Sequence, residues 1–582
     1  VRIKPTRPDF ERFRHKLASV DALPQLAVLG LLTGTVTAGV IVLFRELIAL
    51  LANIFLRGHP EGAFLRLSWE HRVILPFIGS FLLIIIVLGI RKKFRPVGIV
   101  HVIERLDWHQ GRLNFGNFLH QFFAGAIAIA SGHSIGREGP AVHLGAAAGS
   151  LLGQGMRLPN NSLRILVACG TASAISAAFN TPLAGVIFAL EVLLVEYTVA
   201  SFLPVMLASV SAAGIIQFLY GNDPAFFVPY ISVDLVDELP LVILIGFMMG
   251  FVSTLYCRLI IFFNKRTASF SPYTKLLLAA AITGLLAIPA PDIMGVGYDT
   301  ITELMIGENI PVLLFTLLVC KLLATSASVG MGVPGGLIGP TLFLGAVGGT
   351  LTETMVSHIP AIASNSPAFH SMIGMSAMLG AVLQAPLTAL VTVVELTRNS
   401  NLLFPALLAI VIAALTSNLL LRQHGIFELI LDCWGYNRVQ NPVHKALSQM
   451  GISNLVNESC VILERKQSKA TLQNQLRKQP EWLLVTDEGR TKAIMPAIAL
   501  GQYFAPEKDA PDEKDSSIDL LDIPSRRYDI GALSNRASVY EAWELMQSKG
   551  VEALYITKQT RKQDTQIIGI VTKASLQRYY RV

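Results

Sequence analysis

Residues 131–153 read SGHSIGREGPAVHLGAAAGSLLG and set two charged side chains, Arg137 and Glu138, between glycines and against a proline in a chain that is otherwise apolar. Gly136, Gly139 and Pro140 interrupt any helix arriving from the N-terminal side, and the fixed φ of Pro140 suits the first turn of a new helix running through Ala141 to Leu152. Such a helix starts inside a membrane. Its first N–H groups lack intrahelical acceptors and its dipole is positive there, so the start is an anion site that the Glu138 carboxylate is near enough to fill itself. In the plainer reading Glu138 caps its helix and pairs with Arg137. Burying an ionisable group at membrane depth is costly, which favours the functional reading.

Composition fixes the setting. Of 582 residues, 52% are hydrophobic and 15% charged, and the mean hydropathy is +0.54; this describes a polytopic membrane protein with room for a soluble domain, and excludes a soluble enzyme. The run from residue 25 carries one charged pair, Arg45 and Glu46, before Arg57. As a single helix it would reach roughly 50 Å against a hydrocarbon core of roughly 30 Å, so it tilts or bends. The start, VRIKPTRPDFERFRHK, is basic and has no apolar core, which argues against a cleaved signal peptide and, by the positive-inside rule, places residues 1–22 in the cytoplasm. The five cysteines are scattered and suggest neither disulfides nor a metal site. The net charge of +7 gathers at the N-terminus, at Arg91-Lys92-Lys93 and in the C-terminal tail. Membrane orientation and lipid headgroups explain it better than nucleic acid does.

The membrane part repeats itself. GPAVHLGAAAG at 139–149 lies on GPTLFLGAVGG at 339–349, and GTASAISAAFNTPLAGVIFALEVL from Gly170 lies on GMSAMLGAVLQAPLTALVTVVELT from Gly374, at offsets of 200 and 204. Two homologous halves follow, about 23–222 and about 239–422, within a membrane domain at 23–435. Several apolar runs are too short to span alone and are broken by Gly and Pro, the pattern of re-entrant helices, whose paired starts mark a substrate site near the midplane. Whether the halves are inverted stays open. From about 436 the chain is soluble and α+β, with two similar units at about 440–504 and 525–582 and an acidic linker at 506–522.

GREGP at Gly136–Pro140, the following VHLGA, and KLLATSASVGMGVPGGLIGPTLFLGA from Lys321 together resemble the CLC family of chloride channels and proton-coupled anion transporters; the likeness covers nearly the whole chain, and the tail resembles the CBS-domain pair that many members carry. The resemblance implies an all-α inverted-repeat membrane fold, a homodimer in the bilayer with both termini cytoplasmic, and one anion pathway per subunit, set in a bacterial inner or plasma membrane. Glu138 matches the gating glutamate. Anion ligands are then expected from the backbone around Gly136, Arg137, Glu138 and Gly139, around Leu337, Ile338 and Gly339, and from positions 97, 98 and 427.

Three departures follow. Val97-Gly98 stands where the family has a serine hydroxyl before its glycine, Phe427 stands for the pore tyrosine, and Val192 stands where coupled members carry a second glutamate. The central site must then use backbone donors, and the usual proton relay is missing. The reading is a chloride channel gated by Glu138; a chloride/proton antiporter and a tail-regulated transporter of another anion are the alternatives. Glu196 could replace the relay, or simply end a helix. Glu191 and Glu395 occupy matching places and read as structural. His133 and His143 flank the gate, the latter as an internal hydrogen-bonder. Lys321 reads either as a source of positive potential or as a snorkelling side chain. Ser575 replaces the aspartate of nucleotide-binding CBS modules, so a structural or gating tail is expected ahead of one that binds an adenine nucleotide. Neither a P-loop nor an HExxH zinc site occurs, and no enzyme activity or other cofactor is expected.

Overall fold

The computed structural model describes residues 22–56, 63–222, 235–306, 310–356, 366–436, 450–504, 517–559 and 565–580, with Leu17, Leu447 and Ser448. The rest of the basic segment at 1–22, and 506–516 of the linker, lie outside these residues. The chain divides into a membrane unit, Leu23–Arg157 and Leu163–Val439, and a second, mostly C-terminal unit, Gln440–Val582 with Val1–Ala22 and Leu158–Ser162.

The membrane unit is helical. Its first half runs through α1 (Leu23–Phe55), α2 (Trp69–Gly89), α3 (Gly98–Trp108), α4 (Phe115–Ala130), α5 (Glu138–Gly155), α6 (Asn160–Phe179), α7 (Pro182–Phe188) and α8 (Val199–Tyr220). The second runs through α9 (Leu235–Arg266), α10 (Pro272–Leu286), α11 (Tyr298–Ile306), α12 (Pro311–Gly330), α13 (Ile338–Val356), α14 (Pro367–Leu383), α15 (Pro386–Thr397), α16 (Leu403–Leu415) and α17 (Ile426–Cys433). The second half begins earlier than its apolar run at 239, because Asp237 and Glu238 suit the first turn of a helix. Seven helices among the described residues are long and apolar enough to cross a membrane, while α4, α7, α10, α14 and α15 are shorter.

The helices α5 and α13 are almost entirely buried, and small residues let neighbouring backbones touch them. A Cβ on Gly145 would stand 2.2 Å from the Gly170 carbonyl oxygen, and one on Gly345 would stand 2.5 Å from that of Gly374. This is the packing expected where lipid gives apolar side chains no reason to prefer protein.

In the C-terminal unit, β1 (Cys460–Glu464) pairs parallel with β3 (Trp482–Asp487), which pairs antiparallel with β4 (Arg490–Pro496); β6 (Ile530–Ser534), β7 (Ala553–Gln559) and β8 (Thr565–Thr572) repeat the pattern. Helices α18 (Lys469–Leu476) and α20 (Val539–Lys549) connect the parallel strands, and α19 (Ala497–Phe504) and α21 (Lys573–Tyr580) follow each sheet. The linker is shorter than its composition suggests. Ser517–Asp519, inside the expected 506–522, is strand β5 and pairs with β2 (Lys466–Ser468), because Leu520 is an apolar anchor fully buried beside it.

Candidate functional site

The site forms where the two halves meet. Gly136 N–H donates to the Gly336 carbonyl at 2.7 Å and Gly336 N–H donates to the Gly136 carbonyl at 2.8 Å, a two-residue antiparallel bridge. Equivalent loops thus meet head to head, with α5 starting at Glu138 and α13 at Ile338. Only glycine fits so close a crossing, since a Cβ on Gly139 would stand 2.5 Å from Cα of Gly336.

Glu138 is fully buried. Its Oε2 accepts from Gly339 N–H at 3.1 Å, and its Oε1 accepts from the Tyr298 hydroxyl. The carboxylate therefore occupies the start of α13, the helix of the opposite half. This corrects the expectation that it would fill the start of its own helix: the antiparallel bridge turns each helix start toward its counterpart. Arg137 Nε lies 4.0 Å from Glu138 Oε1, at the limit of an ion pair, and its guanidinium stands 5.2 Å from the centre of the Tyr298 ring.

Two cavities flank this contact and share no lining residue. One, of about 230 Å³, is lined by Val97, Gly98, Gly139, Gly336, Leu337 and Phe427 among others. The other, of about 460 Å³, is lined by Arg137, Tyr298, Asp292, Asp299 and Glu303 among others. Glu138 lines neither. Of the residues expected to hold an anion, Val97, Gly98, Gly139, Leu337 and Phe427 thus come together around the smaller cavity. Gly339 binds Glu138, Gly136 is engaged in the bridge, Ile338 is buried as the first residue of α13, and Arg137 faces the larger cavity.

The smaller cavity has few free side-chain donors in its wall. Val97 precedes the first residue of α3 and Phe427 lies in α17; neither offers a hydroxyl. Gly98 N–H, an expected anion ligand, donates to the side-chain oxygen of Gln121 at 2.9 Å. Gln121 is fully buried on α4 and reaches the Pro334 carbonyl at 3.4 Å with its other end.

Tyr298 and Gln121 were not singled out from the sequence. For Tyr298 a signal existed in GVGYD at 295–299, where Gly295 and Gly297 both take positive φ and turn the chain so that an aromatic hydroxyl re-enters the unit. Lys321 is corrected: it lies within α12, fully buried, and it does not snorkel. Its Nζ donates to the carbonyls of Ile293 at 2.9 Å and Gly295 at 3.0 Å, pinning the loop that presents Tyr298.

Val192 is buried in a π-helical segment, Ala189–Leu194, that ends at left-handed Val195. Glu196 therefore lies beyond the helix and not one turn along it. Glu191 accepts from Leu387 N–H at 3.2 Å and Thr388 N–H at 2.7 Å, and Glu395 accepts from Leu183 N–H at 3.0 Å and Ala184 N–H at 2.7 Å. Each caps the helix of the other half. His143 Nε2 meets His101 Nδ1 at 3.0 Å while its own Nδ1 has no partner among the described residues, so it is only half satisfied as a hydrogen-bonder; His133 Nε2 meets the Ser80 hydroxyl at 3.1 Å.

The family model of the voltage gated chloride channel matches residues 79–418, more than half of the chain. The chain belongs to the CLC family. As a CLC protein it is an integral membrane chloride transporter. It is 30% identical over 406 residues to a putative chloride channel protein ClcB-like of Ralstonia nicotianae, covering 68% of this chain and 93% of that protein. It is also 30% identical over 409 residues to the voltage-gated ClC-type chloride channel ClcB of Citrobacter koseri, covering 69% and 96%. Three solved CLC structures share the fold. A slow cyanobacterial Cl−/H+ antiporter matches with TM-score 0.60 and 22% identity, over 71% of this chain and 97% of its own. A CLC-type fluoride/proton antiporter matches with TM-score 0.60 and 21% identity, over 71% and 98%. A eukaryotic CLC transporter matches with TM-score 0.61 and 17% identity, over 96% and 99%.

Proposed function

We propose that Glu138 is the gate of a chloride pathway joining the two cavities, and that the protein passes chloride passively, as a channel. The observation that carries this reading is the seat of the carboxylate on the Gly339 amide, with the Tyr298 hydroxyl on its other oxygen. A helix start holds anions through N–H groups and dipole, so the carboxylate and a chloride ion compete for one place. Rotation or protonation of Glu138 vacates it. Backbone amides carry no full charge and hold the ion weakly enough to release it.

Val192 in place of a relay carboxylate and the channel names of the ClcB relatives support uncoupled flow. A second reading, chloride/proton exchange with Glu138 as the proton carrier, is supported by the fold it shares with two proton-coupled antiporters. The direct test is chloride efflux from proteoliposomes at clamped voltage, with external pH recorded in the same sample. Chloride flow without proton movement is expected, and uphill proton movement tied to chloride would establish the exchanger. Glu138→Gln should abolish the pH dependence of flux; a normal pH dependence in that variant would remove Glu138 from the gate.

The rest of the proposal follows the family resemblance: a homodimer in a bacterial inner membrane, both termini in the cytoplasm, no enzyme activity, and a C-terminal CBS pair. In that pair the Ser575 hydroxyl is spent on its own helix start, donating to the Thr572 carbonyl at 2.7 Å and accepting from Thr572 N–H at 3.1 Å. This supports a structural or gating tail over a nucleotide site.

A further inference from the structure

Among the described residues lining the smaller cavity, one is ionisable: Arg95. It stands two residues before Val97, in the link between α2 and α3. One Nη donates to the Val87 carbonyl at 3.0 Å, which ties the side chain to the last turns of α2. Its Nε is shut off from solvent and has no acceptor among the described residues. None of the ion pairs among those residues involves Arg95. Its one hydrogen bond is to a neutral carbonyl, so no carboxylate among the described residues offsets the guanidinium charge, and its Nε donor is unused.

The remaining wall offers an anion no other charged group and few free side-chain donors. Positions 97 and 427 lack hydroxyls, the Gly98 amide is engaged by Gln121, and the Asn264 amide donates to the Gly330 carbonyl at 3.2 Å. A single unbalanced positive charge in an otherwise uncharged cleft focuses the local potential and raises anion concentration there. Unlike an ammonium, a guanidinium is weakly hydrated and loses little by exchanging water for an ion.

We infer that Arg95 forms an anion-recruiting subsite of this cavity, taking a small monovalent anion such as chloride in place of the missing hydroxyl donors. The inference rests on the reading that chloride passes through this cavity. Arg95 is partly exposed and its field is screened by salt, so it governs how readily the cavity fills more than how fast a filled cavity empties.

The test is chloride flux through the full-length protein in proteoliposomes, measured against chloride concentration at low ionic strength balanced with a bulky impermeant anion. Arg95→Gln removes the charge and keeps a polar side chain. It should raise the half-saturating chloride concentration ~10-fold, with maximal flux changed less than ~2-fold. Arg95→Lys should fall between the unsubstituted protein and Arg95→Gln, because the charge is kept on a more strongly hydrated group. In the unsubstituted protein the half-saturating concentration should rise with ionic strength, a readout that needs no variant. An unchanged half-saturation in Arg95→Gln, a Lys variant as impaired as the Gln variant, or a flat salt dependence would each overturn the inference. Unsubstituted protein that carries no chloride at all would instead overturn the transport reading.

Discussion

Tyr298 reaches Glu138 across 160 positions of sequence, and with the Gly339 amide it gives the carboxylate one donor for each oxygen. Removing the hydroxyl leaves Glu138, among the described residues, with one hydrogen-bond donor, the Gly339 amide, beside the Arg137 guanidinium at the limit of an ion pair. A hydrogen bond to a charged group contributes ~1.5–3 kcal/mol, so Tyr298→Phe should raise chloride flux at neutral pH several-fold and move its pH dependence toward that of Glu138→Gln. Flux measured from pH 5 to 8 in both variants checks this, and a Phe variant that stays as closed as the unsubstituted protein would make the hydroxyl a bystander. The glutamate itself was legible, because a charged pair between glycines in an apolar chain has few bland explanations. Its seat was not. Sequence spacing tells which residues share a helix but not which helix start a side chain will cross to, and Tyr298, Gln121 and Lys321 all act through contacts made only once the chain is folded. Arg95 was hidden for another reason: beside Arg91, Lys92 and Lys93 it passes for one more orientation charge.

Between elements, the two halves hold each other by exchanged caps. Glu191 of the first half binds the start of α15 and Glu395 of the second binds the start of α7, each through two backbone amides. Their matching positions were readable as a shared structural role; the exchange was not, since a repeat alignment cannot say whether a residue serves its own half or its twin. Glu395→Ala would leave two helix-start amides without an acceptor and cost ~2–4 kcal/mol, lowering the thermal unfolding midpoint in detergent. An unchanged midpoint would show that the caps are idle. In the C-terminal unit, Arg465 Nε donates to Asp519 Oδ2 at 2.8 Å across the β2–β5 pair, and that hydrogen bond holds the Asp519 carboxyl below the usual carboxylate range. A depressed value means the stabilisation is present above the unfolded-state pKa and is lost as pH falls through the lowered one. Asp519→Asn should therefore destabilise this unit near pH 7 and make no difference once Asp519 is protonated in the parent; equal destabilisation at both pH values, followed by unfolding of the full chain, would contradict it.

At the scale of the molecule, the antiparallel bridge makes the two equivalent loops run in opposite directions where they meet at Gly136 and Gly336, the local relation expected of an inverted repeat. The Glu138 contact, the proposed gate, belongs to both halves at once: its carboxylate comes from α5, and its donors come from the α11 and α13 starts. Every residue of that contact lies in the membrane unit. The two ClcB relatives are covered over 93% and 96% of their length by alignments that take in only 68% and 69% of this chain, so they are about as long as the membrane unit alone. A chain ending at Tyr436 should therefore retain chloride flux with a half-saturating concentration within ~2-fold of the full protein, because neither the Arg95 cavity nor the Glu138 seat loses a wall. What the tail adds would then be visible as the difference in flux between the two chains. If the shortened chain inserts as folded protein and yet carries no chloride, the C-terminal unit is part of the conducting structure, and a gate built only from Glu138, Tyr298 and Gly339 is insufficient.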